Sequence, residues 1–176
     1  MAKVAAELDA STAVFVAPPD TRGIGNAALA RVPVKMDSTK DVNGFPVTVV
    51  GDEDVIGKNI VPSREFVHVA TTYNSRPIHI YGVHLKASSG YPLRKSPGGE
   101  RIPPKNQQEE SDGIIRASVF RLAQAKRLRE LADIHFQEDQ NAQVVILGDF
   151  NALEYSDIVK AISGTKNYPD FQLHDL

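Results

Sequence analysis

Apolar residues in the first half of the chain come in short runs separated by Gly, Pro, Asn and Asp, the pattern of strands joined by turns. Residues 2–9 differ: Val4, Ala5 and Leu8 stand at helical spacing and read as the tail of a helix. Ala13-Val14-Phe15-Val16-Ala17 reads as a short buried strand, broken by Pro18-Pro19-Asp20. Gly23-Ile24-Gly25-Asn26 leads into a second strand near Ala27 to Val34, and Phe45 to Val50 is a third, entered through the turn signal Asp41-Val42-Asn43-Gly44. Arg64 to Ala70 alternates as a half-buried strand does, and Pro77 to Leu85 follows across a hairpin loop at Tyr73-Asn74-Ser75-Arg76. Five strands in succession on short links predict an antiparallel or mixed sheet.

From Ala87 to Glu110 the periodicity stops. These roughly two dozen residues are rich in Gly, Pro, Ser and basic residues, a loop long enough to be functional or disordered. Ser111-Asp112 is a helix start, and the helix is predicted from about Ile114 to Phe136. Ile115, Val119, Leu122, Ala125, Leu128, Leu131 and Ala132 supply its apolar face, with Arg116, Arg121, Lys126, Arg127 and Arg129 on the flanks. Gln143 to Leu147 reads as a fully buried strand ending at Gly148. Tyr155 to Ile162 is a short helix stopped by Gly164, and Pro169 to Leu176 is extended.

A chain of 176 residues fits one domain, 1–176. Its 20 Lys+Arg against 22 Asp+Glu exclude a globally basic nucleic-acid coat and an acidic tail, though not a local basic patch. No cysteine is present, which excludes disulfides, thiolate zinc sites and a cysteine nucleophile. No apolar run approaches the ~18 residues of a membrane helix. Glu7 and Asp9 interrupt the N-terminal segment before a signal-peptide core can form, so a soluble chain without a membrane partner is expected.

The strongest chemical signal is Val144-Val145-Ile146-Leu147-Gly148-Asp149-Phe150-Asn151. A buried strand delivers an acid and an amide, two residues apart, at its C-terminal end. On extended backbone such residues point the same way, and a carboxylate beside a neutral amide suits a hard cation and a phosphate oxygen. In isolation the tetrapeptide is more often a turn with a capping Asp before Ala152. Tyr81-Gly82-Val83-His84-Leu85-Lys86 shifts the balance, because it sets a histidine and a lysine on one side of another strand end, where the long loop begins. His68 and His79 read as packed or surface residues.

These residues carry a resemblance. His84-Leu-Lys86 after a strand, a helix containing Arg121, Gln124 and Leu128, then Gly148-Asp149-Phe150-Asn151-Ala152, resemble in order the endonuclease/exonuclease/phosphatase superfamily, the DNase I-like fold. Asn26 to Pro33 is similar to that family's strand and Ser-Arg-x-Pro turn, with Ala30 where Ser is usual. The resemblance runs from about Thr12 to Asp157. It implies an α/β fold: a mixed β-sheet sandwich flanked by helices, part of a four-layer α/β/β/α arrangement. It further implies a Mg²⁺-dependent phosphoesterase (Mn²⁺ or Ca²⁺ as substitutes), nuclease-type and acting on nucleic acid or another phosphate ester. Asp149 and Asn151 are the implied metal ligands. Asp149 would aim the attacking water, Asn151 would hold a phosphate oxygen, and His84 would contact the phosphate and assist the leaving group. Lys86 and Arg94 are the candidate substrate-binding charges. Arg94, Lys95, Arg101 and Lys105 could follow a nucleic-acid backbone, while Arg116 and Arg121 read as surface or packing charges.

The family's early metal-binding Glu and its late Ser-Asp-His pattern have no counterpart between Met1 and Leu176. Glu7 reads as a surface residue. The expectation is therefore a domain incomplete at both ends, weak as an isolated hydrolase and prone to pair with a second copy. The alternatives are a phosphomonoesterase or lipid phosphoesterase of the same superfamily, or a homologue that folds and hydrolyses nothing. In any of these, His84, Asp149 and Asn151 should gather at one sheet edge.

Overall fold

The computed structural model describes residues 7, 13–20, 22–39, 64–87, 102–164 and 173. Strands β1 (Ala13–Val16) and β2 (Ala27–Ala30) form an antiparallel pair. A second sheet holds β3 (Lys35–Ser38), β4 (Val67–Tyr73), β5 (Arg76–His84) and β6 (Gln143–Asp149), in that order. The β3–β4 and β4–β5 pairs are antiparallel and β5–β6 is parallel. Between β5 and β6 runs helix α1 (Gln107–Glu138), the crossover that a parallel pair requires. Helix α2 (Asp157–Ser163) follows β6. The class is mixed α/β, with two sheets and helices.

The β4–β5 hairpin turns on Asn74 and Ser75, whose φ values of 50° and 63° give the left-handed pair that matches strand twist. Alternation along β5 sends Tyr81 and Val83, and Leu85 beyond its end, to one face. There they meet Ala125 and Leu128 of α1, Ile158 and Ile162 of α2, and Phe66. Val144, Ile146 and Phe150 complete this core. Phe66, Leu85 and Leu128 are fully buried, so truncating any of them to Ala should cost about 2–5 kcal/mol.

Several expectations change. The predicted second strand, Ala27 to Val34, divides: β2 pairs with β1, and after Pro33, which cannot donate to a ladder, the chain enters the other sheet as β3. The first strand is half-exposed rather than buried, with Val14 and Val16 open to solvent. The strand predicted from Arg64 begins at Val67. Helix α1 starts seven residues before Ile114, because the Asn106 side chain accepts from the Glu109 amide (2.9 Å) and the Glu109 carboxylate accepts from the Lys105 amide (2.8 Å). Its buried face is Ala117, Arg121, Gln124, Ala125, Leu128, Ala132 and Phe136, while Ile115 and Leu122 are exposed. β6 is not fully buried; it runs through Asp149 with an exposed end. Gly164 closes α2 at φ 86°, donating its amide to Lys160 O. Of the N-terminal helical segment only Glu7 is described, and it is helical and exposed. The predicted strand at Phe45 to Val50, the Asp41–Gly44 turn and Arg94, Lys95 and Arg101 lie outside the described residues.

Candidate functional site

Parallel register sets His84 opposite Asp149, each the last residue of its strand. The ladder continues one step further, Leu85 N donating to Asp149 O at 2.9 Å. Both side chains lie on the sheet face away from the core, since Val83 and Leu85 occupy the other. His84 Nε2 stands 3.6 Å from Asp149 Oδ2. That is beyond a direct hydrogen bond, and a water lying to one side of the pair could bond to both groups.

Asn151 closes the site from below. Its φ of 48° lets its amide reach back to Asp149 Oδ1 at 2.8 Å, which fixes the carboxylate with Oδ2 toward His84. One hydrogen of its side-chain amide goes to Leu85 O, at 3.1 Å. Asn151 therefore ties the two strand ends together, and among the described residues nothing bonds to its amide oxygen. Gly148 permits this closeness: its φ is 135°, and a Cβ there would lie 2.0 Å from Val83 O.

A fourth residue joins them that the sequence pattern did not single out. Arg64 is 4% exposed, although its place in the sequence reads as an alternating, half-buried strand position. Its Nε lies 4.0 Å from Asp20 Oδ2, and Nε and Nη1 have no hydrogen-bond partner among the described residues. A buried guanidinium with unused donors is a seat for an anion. Burial lowers the Arg64 pKa, while the fields of Asp20 and Asp149 act in the opposite direction. Burial, then Arg64, lower the His84 pKa below the usual imidazole value, with Asp149 opposing. His84 is therefore neutral at pH 7. No local signal in the sequence marks Arg64, whose partner Asp20 is far off in the chain, and Arg31 at the expected turn is exposed.

Asp20 is the anchor of the neighbouring loop. Its Oδ1 accepts from the amides of Arg22 (2.9 Å) and Ile24 (3.2 Å), and Oδ2 from Arg22 Nη2 at 2.6 Å. Burial alone would raise its pKa; the bonds from Arg22 and from the backbone outweigh it and hold the carboxyl at about 2.

The helix secures the other side. Gln124, fully buried, accepts from Lys86 N at 2.9 Å, and Arg121 Nη1 donates to Ala87 O at 3.0 Å. Arg121 is thus a packing charge, as expected, and it packs on the backbone that leaves the site. Lys86 is half-buried beside His84. Asp149 Oδ2 and Asn151 Oδ1 are hard oxygen donors. With waters and a phosphate they fit the demands of Mg²⁺, which binds through one or two carboxylates and keeps much of its hydration.

No known protein family matches the chain, and no curated protein does. Among solved structures it is similar to sphingomyelinase C from Streptomyces griseocarneus, with 15% identity and a TM-score of 0.43, over 82% of this chain and 37% of that one. A β-hairpin deletion mutant of beta toxin from Staphylococcus aureus gives 15% identity and a TM-score of 0.42, over 92% and 51%. A further beta toxin mutant from the same organism, with bound magnesium ions, gives 15% and 0.34 over 65% and 31%. The chain spans between about a third and a half of the length of these proteins.

Proposed function

We propose that this chain carries the phosphate-binding and water-orienting part of a Mg²⁺-dependent phosphodiesterase. The observation that carries the reading is the meeting of two groups at the β5–β6 edge, Asp149, held by the Asn151 amide, and a neutral His84 at 3.6 Å, with the charge of the buried Arg64 acting on both; its Nε and Nη1 have no hydrogen-bond partner among the described residues. A bound Mg²⁺ would neutralise phosphate charge as a Lewis acid. The Asp149 carboxylate accepts a hydrogen bond from a water beside it and aims its oxygen at phosphorus. His84, neutral, offers an N–H to a phosphate or leaving-group oxygen without adding a charge. Arg64 donates to the equatorial phosphate oxygens, where negative charge is greatest. Asn151 Oδ1 and Asp149 Oδ2 would hold the ion.

Hydrolysis of bis-p-nitrophenyl phosphate with and without Mg²⁺ tests this, with DNA and sphingomyelin as natural diesters. Mg²⁺-dependent turnover should fall about 10²-fold or more in Asp149→Ala, the usual scale for an acid–base group. Turnover that is indifferent to Mg²⁺, or unchanged in Asp149→Ala, overturns the reading.

A further inference from the structure

Three of the five histidines converge at a second place, on the opposite face of the sheet. His68 comes from β4, His79 from β5 and His135 from the last turn of α1. His79 is five residues from His84 along β5, or about 16 Å at strand rise, so the two places are distinct. One ring nitrogen from each of the three lies within 4.8 Å of the other two. His68 Nε2 and His79 Nδ1 are 3.0 Å apart, and the His79 and His135 rings stack with centroids 3.5 Å apart.

The surroundings of the three rings are those of ligands. His68 Nδ1 is 3.0 Å from Asp37 Oδ1, a carboxylate placed to accept a hydrogen bond from Nδ1–H, the tautomer in which Nε2 keeps its lone pair. Tyr81 Oη bonds His135 Nε2 at 2.7 Å. His135 Nδ1 is buried with no hydrogen-bond partner among the described residues, and Glu138 Oε2 is 3.7 Å from it. A buried imidazole nitrogen without a partner is costly unless something occupies it.

We propose that His68, His79 and His135 bind one divalent transition ion of the zinc class, with Glu138 or water as the fourth ligand, tying the C-terminal turn of α1 to β4 and β5. Three imidazoles without sulfur suit Zn²⁺ and its neighbours, and offer too few oxygens for Mg²⁺ or Ca²⁺. Tetrahedral Zn–N bonds of about 2.0–2.1 Å set nitrogens about 3.3 Å apart. The His68–His79 pair, at 3.0 Å, is within a few tenths of an ångström of this spacing, and rotation of the third ring out of its stack closes the remainder. Asp37 and Glu138 balance the charge of the ion, and the carbonyl end of α1 favours a cation.

Tag-free chain stripped with chelator, titrated calorimetrically with ZnCl₂, tests this. One equivalent should bind with micromolar or tighter affinity and raise the melting temperature by several degrees. His68→Gln and His135→Gln should each weaken binding at least tenfold, while Asp149→Asn leaves it unchanged. Nitrogen-15 spectra of the wild-type imidazoles give a readout that does not depend on the variants folding: Zn²⁺ should shift three histidines and spare His84. Absence of binding below about 100 μM, or Zn²⁺ shifts centred on His84, overturns the proposal.

Discussion

Gly148→Ala is the most direct probe of how the Gly-Asp-Phe-Asn segment is built. A Cβ at this position would lie 2.0 Å from Val83 O and 2.9 Å from Val83 C, whereas real contacts stay beyond 3.0 Å. Neither atom is a flexible side chain that could move aside. The parallel pair must open by about 1 Å at Val83↔Gly148, one step before His84↔Asp149. A positive φ for an L-residue costs about 1–2 kcal/mol. Loosening the two flanking ladder bonds adds about 1 kcal/mol each. The sum is roughly 3–4 kcal/mol, or a melting temperature lower by about 10 °C in a chain of this size. Gly82→Ala is the control: it sits in the neighbouring strand, and the nearest atom to its Cβ is Val67 Cβ at 3.8 Å, an ordinary contact. That variant should stay within about 1 kcal/mol of wild type. Thermal unfolding followed by circular dichroism separates the two. Because Asp149 moves with Gly148, turnover of the folded Gly148→Ala protein should also fall about 10²-fold, the scale of a 1 Å misplacement. Equal melting temperatures for the two variants would refute the close-approach argument.

Three other outcomes follow from the same geometry. Gln124→Leu leaves the Lys86 amide buried without its acceptor, and should cost about 1–3 kcal/mol in denaturant unfolding. Arg64→Met keeps the volume and removes the donors, so inhibition by inorganic phosphate should weaken at least tenfold while the fold survives. Asp20 titrates lower in the folded chain than in the unfolded one, so its contribution is complete above about pH 4 and is lost as pH falls toward 2. It amounts to about 1–2 kcal/mol after allowing for the half-exposed Arg22, and Asp20→Asn should flatten the acid limb of the stability profile by that amount.

What the sequence discloses of this fold depends on how local the cause is. The β4–β5 hairpin was legible because Asn74-Ser75 between two alternating runs fixes a turn by itself. His84 and Asp149 were legible as strand ends, and parallel register then makes them neighbours. The start of α1 was written in Asn106-Gln107-Gln108-Glu109, but residues 107–113 lack the apolar spacing that draws attention to a helix. Arg64 and Gln124 were not legible as buried residues, because their partners lie at Asp20 and Lys86, far off in the chain. Charge normally marks solvent, and only tertiary contact reverses that reading.

The crossover helix links both sites to one dimension of the fold. Gln124 meets the amide of Lys86, and eleven residues later His135 meets Tyr81, five residues earlier on the strand side. Eleven residues of helix rise about 16 Å, and five of strand about 16 Å. Helix and strand thus run antiparallel in matched register, so the clamp at the His84 end and the histidine cluster at the other are set by one spacing. Deleting a single residue between Leu128 and Ala132 would turn everything beyond it by about 100°. His135 would leave Tyr81, His79 and His68, while Gln124 kept its hold on Lys86. Such a variant should lose Zn²⁺ binding and retain phosphate binding; losing both together would show that the two ends of α1 do not act independently.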